Sequence, residues 1–305
     1  MNPTKAKTFF YKIFSLLSVV RGYNILVLIL AQYLTSIFIF SPDKSIGSVV
    51  FDVHFLYIVL ASVCVVASGY IINDFYDDKV DKINRPLKTG LDNYVKQETK
   101  LRLYFFLNFS GFLFGFLVSW KAALFFAVYI FAIWFYSHKL KKHPFTGLFS
   151  ATTLTVMPFF AIFIYYKNFS EVIFLHAIFL FFVIMVRELV KDLQNMKGAI
   201  ANNYDTFPVV YGERKTKKAS ILFMVLAIIP VFYLFSYPEL SYMKYYFYLA
   251  LVTLFLVSFY LWRSTERNQY RFVHNVLKLL LLIGVLSLVF IDTSLILEKV
   301  IDRLN

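Results

Sequence analysis

The sequence predicts an all-α fold, a polytopic membrane bundle of about nine transmembrane helices. Of the 305 residues, 60% are hydrophobic and only 16% are charged, a balance more apolar than that of soluble globular domains. The mean hydropathy is +0.67, and the apolar residues are gathered into long stretches. The single cysteine, Cys64, lies inside one of these stretches, which excludes disulfide scaffolds and zinc clusters.

Nine apolar stretches are long enough, or nearly so, to cross a bilayer as helices. No linker or low-complexity segment separates them, so we expect one membrane domain over residues 1–305. No small-residue cleavage site follows the first stretch, which we therefore interpret as a retained span and not as a signal peptide. The stretches are residues 15–40, 55–72, 101–119, 121–137, 145–166, 170–188, 219–236, 243–262 and 275–296.

The basic residues indicate how these spans are oriented. If the N-terminus and every second loop share one side, that side collects most of the 31 Lys and Arg residues. The other side holds Lys44, Lys121, Lys167, Lys244, Lys299 and Arg303. The positive-inside rule therefore predicts a multi-pass protein of the plasma (inner) membrane, with residues 1–14 and the loops 73–100 and 189–218 in the cytoplasm. Anionic lipids account for the positive charge, and neither nucleic acid nor an obligate protein partner is indicated.

A cluster of carboxylates follows the second span. Asp74, Asp77 and Asp81 are three and four residues apart, so a helix would place all three on one face, with Asn73 beside them. Like charges in this arrangement repel each other unless a cation neutralises them. Oxygen ligands without nearby Cys or His favour Mg²⁺, which also bridges to substrate phosphates. The alternative is an acidic helix cap at the membrane surface.

A second acidic segment follows the sixth span, on the same predicted side. Glu188, Asp192 and Asn195 are four and three residues apart, and Arg187 and Lys191 form a neighbouring basic pair. These residues suit a second metal and direct contacts to phosphate oxygens, although the charged ones would also pair as a ladder along one helix. Ionisable groups at a membrane edge indicate a functional site. Together the two segments therefore predict a cytoplasmic active-site cap that binds a pyrophosphate through Mg²⁺.

The first segment resembles a known family signature. Residues 73–81, NDFYDDKVD, match every position of the NDxxDxxxD signature of the UbiA superfamily of intramembrane prenyltransferases, and Asn-Arg-Pro follows at 84–86. Arg21, Asn24, the segment 136–141 and the TFPVVYG segment 206–212 agree with the family in order and spacing. The resemblance extends from about residue 15 to the last span.

Within the superfamily, the segment 187–192, RELVKD, is most similar to the geranylgeranylglyceryl phosphate geranylgeranyltransferase subgroup, which makes digeranylgeranylglyceryl phosphate in ether-lipid synthesis. That subgroup usually continues with E-D-x-x-G-D, whereas this chain has Gln194, Asn195 and Ala199 in place of the acids. Three consequences are open: the amides act as neutral oxygen ligands, the second metal binds weakly, or catalysis is impaired.

The resemblance implies a Mg²⁺-dependent enzyme that transfers an alkyl group other than methyl. A prenyl group would pass from a polyprenyl diphosphate, such as geranylgeranyl diphosphate, to a lipid acceptor such as geranylgeranylglyceryl phosphate. The implied catalytic residues are Asp74, Asp77, Asp81 and Asp192, and the implied metal ligands are the same four with Glu188. The implied substrate-binding residues are Asn24, Asn73, Arg85, Lys139, Arg187, Lys191 and Asn195, with Lys139, Arg187 and Lys191 favoured for the diphosphate oxygens.

Three other functions are compatible with the sequence. One is a prenyltransferase of quinone biosynthesis that uses an aromatic acceptor. Another is a transporter that uses the carboxylates as a cation path, although acids at span ends do not favour a conducting path. The last is a catalytically lapsed protein that still binds isoprenoid diphosphate, which the loss of acids after Asp192 keeps open.

Overall fold

The computed structural model describes the backbone of residues 3–291 and the side chains of residues 11–291 except that of Glu239. Lys299, Arg303 and the end of the ninth predicted span, from residue 292, lie outside the described residues. The described chain contains α-helices and short π- and 3₁₀-helical segments, with no strand. The α-helices are α1 (Pro3–Val19), α2 (Gly22–Thr35), α3 (Ile46–Val50), α4 (Val53–Asn84), α5 (Pro86–Asp92), α6 (Gln97–Val118), α7 (Trp120–His138), α8 (Pro144–Tyr166), α9 (Glu171–Ala201), α10 (Phe207–Leu234), α11 (Lys244–Arg263) and α12 (Arg267–Ser287).

Nine helices in the described part of the chain are long and apolar enough to cross a membrane. They are α2 with the π-helical turn Ser36–Phe40, α4, and each helix from α6 to α12. The predicted all-α membrane fold with nine spans is therefore confirmed, and the protein is an integral membrane protein.

The first span begins later than predicted. The sequence predicts a span from residue 15, but α1 ends at Val19 and α2 begins at Gly22. Between them, Arg21 has a φ of 51°, a left-handed conformation that interrupts a right-handed helix. Its guanidinium lies over the ring of Tyr70, 4.8 Å from the ring centroid. The contact between Arg21 and Tyr70 of α4 therefore lies at the break between α1 and α2. Hydropathy alone does not reveal this break.

The two segments predicted as cytoplasmic loops are largely helical. The second span continues as α4 through the whole aspartate motif to Asn84, and the sixth continues as α9 to Ala201. Nothing interrupts α4 before Pro86, and the residue that precedes a proline disfavours the α conformation. Arg85 accordingly has a φ of −142°. The motif is thus a rigid extension of a membrane helix.

The chain divides into two compact units whose segments alternate along the sequence. The first comprises the described residues up to Ile29, Phe51–Ala161 and Asn195–Val209. In it α4 packs against α6 and α7, and α1 packs against α5. Gly111 of α6 permits close approach to α4, because a Cβ there would lie 2.7 Å from Val65 Cγ2. This packing fixes the end of α4 that carries the aspartates.

The second unit comprises Leu30–Val50, Ile162–Gln194 and the described residues from Val210 onward. Its core is a buried apolar cluster contributed mainly by α9, α10, α11 and α12, in which Val186, Ala227, Phe247 and Leu277 are fully buried. The cluster holds the part of α9 that carries Arg187, Glu188, Lys191 and Asp192. Each of the two predicted acidic segments therefore begins on a long, well-packed helix.

Candidate active site

The aspartate motif occupies the last three turns of α4. The spacing places Asp74, Asp77 and Asp81 on one face of this helix, as the sequence predicts. Asn73, predicted as a substrate-binding residue, donates a hydrogen bond from Nδ2 to Asp77 Oδ2 over 2.8 Å.

Asp74 is neutralised by two lysines that lie outside α4. Lys100 Nζ, in the first turn of α6, lies 2.9 Å from Asp74 Oδ2, and Lys88 Nζ, on α5, lies 3.5 Å from Asp74 Oδ1. Lys88 also pairs with the buried Asp92 at 2.5 Å. The Ser15 hydroxyl of α1 donates to the carbonyl oxygen of Asp92. This network ties α1, α5 and α6 to the first aspartate.

Asp77 is held by Lys141, which is buried. Lys141 Nζ lies 2.6 Å from Asp77 Oδ1 and 3.4 Å from Asn73 Oδ1. It also lies 5.8 Å from the ring centroid of Tyr76 and 5.9 Å from that of Tyr204, within the range of cation–π attraction. One ammonium group is therefore surrounded by a carboxylate, an amide oxygen and two aromatic rings.

Tyr204 completes this side of the site and lies between α9 and α10. Its hydroxyl bonds the side chain of Asp77 and lies 3.4 Å from the carbonyl oxygen of Tyr76. Burial and the negative charges of Asp77 and Asp81 raise the pKa of Tyr204 to about 12. The hydroxyl therefore stays protonated at neutral pH and donates to the carboxylate.

Asp81 lies in a mixed field of charges. Arg85, Lys88 and Arg21 attract its carboxylate, and Asp77 repels it. The predicted residue Asn24 lies on the same side of α4, since its Nδ2 donates to the Tyr70 hydroxyl over 3.3 Å. The family motif residues near the N-terminus are thus brought to α4.

Asn84 joins the end of α4 to the end of α9. Its Nδ2 donates to the carbonyl oxygen of Asn195 over 3.1 Å, and its Oδ1 accepts from the Gly198 N–H over 3.3 Å. A Cβ at Gly198 would lie 2.3 Å from Asn84 Nδ2, so only glycine fits this approach. Asn195 Oδ1 is buried without a hydrogen-bond partner. Asn195, predicted as a substrate-binding residue, therefore has an oxygen to offer a ligand.

The basic pair of α9 converges on Glu188. The Glu188 side chain is 8% exposed, with Oε1 accepting from Arg187 Nη2 at 3.1 Å and Oε2 accepting from Lys191 Nζ. Both carboxylate oxygens are therefore used by cations, as the ladder interpretation expects. Asp192 is half-buried on the same helix.

Sequence reasoning missed three residues of the site. It favoured Lys139, which is exposed, while Lys141 carries the contact to Asp77. The two lysines belong to the same loop, and the 3₁₀ turn Leu140–Lys142 decides which one turns inward. Lys100 and Tyr204 gave no signal, because only the tertiary packing brings them to α4.

In the described part of the chain, no group of three or more His, Cys, Asp or Glu side chains converges enough to hold a metal ion. The ammonium groups explain this arrangement, because Asp74 and Asp77 each turn toward a different lysine. The acids are thus compensated one by one.

Comparison with known proteins identifies the family. Residues 15–288 match the sequence pattern of the UbiA prenyltransferase family. A digeranylgeranylglyceryl phosphate synthase of Methanobrevibacter smithii is 25% identical over 237 residues, which cover 74% of this chain and 80% of that protein. The enzyme of the same name from Thermococcus gammatolerans is 31% identical over 168 residues, covering 54% of this chain and 60% of that protein.

Solved structures share the fold. A digeranylgeranylglyceryl phosphate synthase superposes with a TM-score of 0.66 at 21% identity, covering 92% of this chain and 98% of that one. A UbiA homolog from Archaeoglobus fulgidus, bound to GPP and Mg²⁺, superposes with a TM-score of 0.64 at 14% identity, covering 90% and 99%. The predicted family resemblance is confirmed. The chain belongs to the UbiA prenyltransferase family and is a prenyltransferase, an enzyme that transfers an alkyl group other than methyl.

Proposed function

We propose that this enzyme transfers a prenyl group from a polyprenyl diphosphate to a lipid acceptor such as geranylgeranylglyceryl phosphate and releases diphosphate. The observation that carries the proposal is the complete aspartate motif on the rigid end of α4, where Asn73 and two buried lysines hold the carboxylates in place. The names of the relatives from M. smithii and T. gammatolerans support the choice of acceptor.

The donor atoms of the α4 aspartates are of the kind that a divalent metal ion prefers, and we assign Mg²⁺ to them. Asp74, Asp77 and Asp81 provide only oxygen ligands, which Mg²⁺ prefers. In the structure Asp74 and Asp77 each bind an ammonium group, so these carboxylates accept cations. A bound divalent ion supplies Lewis-acid stabilisation of the negative charge that develops on the departing diphosphate.

The residues of α9 have separate roles in this proposal. Asp192 remains the metal ligand of the second segment, with Asn195 Oδ1 as a neutral oxygen donor. Glu188 was predicted as a metal ligand, but its two oxygens bond Arg187 and Lys191. We assign it to orienting these two cations for phosphate oxygens, since charge-assisted bonds fix side-chain direction. The basic residues Lys139 and Arg85 keep their predicted roles as further phosphate ligands.

The side of the membrane belongs to the same proposal. The distribution of Lys and Arg supports an orientation with the N-terminus, the end of α4 and the end of α9 in the cytoplasm, at a plasma (inner) membrane. The whole chain 1–305 acts as one prenyltransferase domain. The many aromatic side chains of the spans provide faces that stabilise an allylic cation away from water.

The test is a transfer assay with the purified protein. The protein is incubated with labelled geranylgeranyl diphosphate, Mg²⁺ and, in separate tubes, geranylgeranylglyceryl phosphate or an aromatic quinone precursor. We expect a labelled lipid with the first acceptor. A labelled aromatic product would show that the acceptor is an aromatic quinone precursor and not a lipid. If the donor binds but neither acceptor gives a product, the protein binds isoprenoid diphosphate without catalysing transfer, and the proposed enzymatic function is wrong.

A further inference from the structure

Lys100 provides a buried positive charge to the first aspartate of α4. The residue is 2% exposed, and its Nζ lies 2.9 Å from Asp74 Oδ2. The two residues are 26 positions apart, so the packing of α6 on α4 makes the pair. Because transferring an ion out of water is unfavourable, Lys100 needs a negative partner, and its ion pair within the described residues is with Asp74.

A second cation faces the other oxygen of the same carboxylate. Lys88 Nζ lies 3.5 Å from Asp74 Oδ1 but 2.5 Å from Asp92 Oδ2. Lys88 is therefore shared between two acids, whereas Lys100 is committed to Asp74. The negative charge of Asp74 is already compensated before any metal arrives.

This compensation changes what Asp74 offers a metal. A divalent cation on its own gains little attraction from a carboxylate that is paired with a buried ammonium, because like charges repel strongly where water is scarce. A diphosphate adds negative charge that offsets both the metal and the lysine. Metal and diphosphate together thus restore the charge balance that either one alone disturbs.

An exposed pair on the same helix provides the contrast. Lys82 Nζ lies 2.6 Å from Asp78 Oδ2, but these side chains are 57% and 30% exposed. Solvent screens such a pair, so it has little influence on charges nearby. The burial of Lys100, more than its short distance to a carboxylate, gives it influence on the site.

We propose that Lys100 is a resident counter-ion of Asp74, a positioning residue that makes metal binding at the aspartate motif depend on the diphosphate. The inference rests on the proposed function in one respect, since it takes the aspartates of α4 as metal ligands. The coupling is reciprocal: the factor by which diphosphate tightens metal binding equals the factor by which metal tightens diphosphate binding.

The test measures Mn²⁺ binding, not turnover. Mn²⁺ prefers the same oxygen ligands as Mg²⁺, and its free concentration is read by electron paramagnetic resonance on the full-length protein in detergent. Each protein is titrated with and without inorganic pyrophosphate. In the wild type we expect pyrophosphate to tighten Mn²⁺ binding strongly. In Lys100→Gln, which keeps a hydrogen-bond donor but no charge, we expect Mn²⁺ alone to bind about tenfold more tightly and the gain from pyrophosphate to fall by a similar factor.

Two further variants serve as controls. Lys82→Gln removes a positive charge from the exposed pair and is expected to leave both titrations unchanged. Lys100→Arg keeps the charge and is expected to keep the gain from pyrophosphate. If Lys100→Gln does not fold, Lys100→Met, which also removes the charge but keeps an unbranched side chain, takes its place and must lose that gain.

The outcomes separate the two claims. A folded Lys100→Gln protein that keeps the wild-type gain, or an equal effect of Lys82→Gln, overturns the role of Lys100 and leaves the metal assignment standing. A wild-type protein that binds no Mn²⁺ even with pyrophosphate overturns the metal assignment of the proposed function itself, and the role of Lys100 with it.

Discussion

Asp77 has the most partners of the aspartates on α4. It receives hydrogen bonds from Asn73, Lys141 and the Tyr204 hydroxyl, so its carboxylate is held in one orientation by three groups. Removing its charge while retaining its shape should affect the site without disturbing the helix. Its neighbour Asp78 instead pairs with the exposed Lys82 and provides a matched control.

We expect Asp77→Asn to lower kcat by a factor of about 10² or more, the range seen when a group that stabilises transition-state charge is removed. Asp78→Asn should leave kcat within about twofold, because exposed ion pairs contribute little. Steady-state rates of prenyl transfer for the two purified proteins provide the comparison. Equal activity of the two variants would remove Asp77 from the catalytic set.

The contribution of the Tyr204 hydrogen bond to activity can be measured at pH values where the Tyr204 hydroxyl does not ionise. With a pKa of about 12, its hydroxyl is neutral throughout the physiological range. A raised tyrosine pKa stabilises the fold fully below the ordinary value, near 10, and this contribution disappears as the pH rises through 12. Between pH 6 and 9 the ionisation of Tyr204 should therefore add no step to the pH profile of activity.

We therefore expect Tyr204→Phe to lower kcat/KM by about fivefold to tenfold, the effect of one lost hydrogen bond, by the same factor at every pH from 6 to 9. The measurement is a pH series of kcat/KM for the two proteins. A factor that grows toward high pH within this range would mean that Tyr204 titrates in the active enzyme, contrary to its environment.

At the scale of the elements, the contact between α4 and the end of α9 depends on one glycine. Gly198 lies so close to Asn84 that an added Cβ would fall 2.3 Å from Asn84 Nδ2 and 2.9 Å from the Val80 carbonyl oxygen. The Asn84 side chain bonds backbone groups of both Asn195 and Gly198.

We expect Gly198→Ala to destabilise the protein by about 1–3 kcal/mol, as overpacking does in tightly packed interiors. Gly90 on α5 is the control, because it is exposed and a Cβ there meets nothing within 4 Å. Gly90→Ala should leave the stability unchanged or raise it slightly, since alanine favours a helix over glycine. The measurement is the melting temperature of each variant in detergent. Equal values for Gly198→Ala and Gly90→Ala would show that the end of α9 shifts at little cost to accommodate the added Cβ.

Particular residues show how far the sequence determines these elements. Hydropathy predicts nine spans because burial in lipid requires long apolar helices, and the structure has them. It fails at Arg21, whose left-handed backbone ends α1, because a charged residue inside an apolar stretch leaves the average hydropathy high. The spacing of Asp74, Asp77 and Asp81 predicts their shared face, since it is a property of one helix. Lys100, Lys141 and Tyr204 follow from packing between segments distant in sequence, which no local pattern records.

At the scale of the whole molecule, the proposed orientation has a direct test. In a Cys64→Ala background, a single cysteine replaces Lys82 near the end of α4, or Lys121 in the first turn of α7. The positive-inside rule leads us to expect that a membrane-impermeant maleimide labels the second protein in intact cells and the first only after the membrane is opened. The reverse pattern would invert the orientation.

The central claim is that this family member uses the aspartates of α4 to transfer a prenyl group to a lipid. The most direct measurement is a single-turnover assay in which enzyme in excess over labelled geranylgeranyl diphosphate is mixed with geranylgeranylglyceryl phosphate, with Mg²⁺ or with EDTA. We expect the label to appear in the lipid with Mg²⁺ and to remain in the diphosphate with EDTA. Donor that is bound but unconverted in the presence of Mg²⁺, or converted equally in EDTA, would contradict the account.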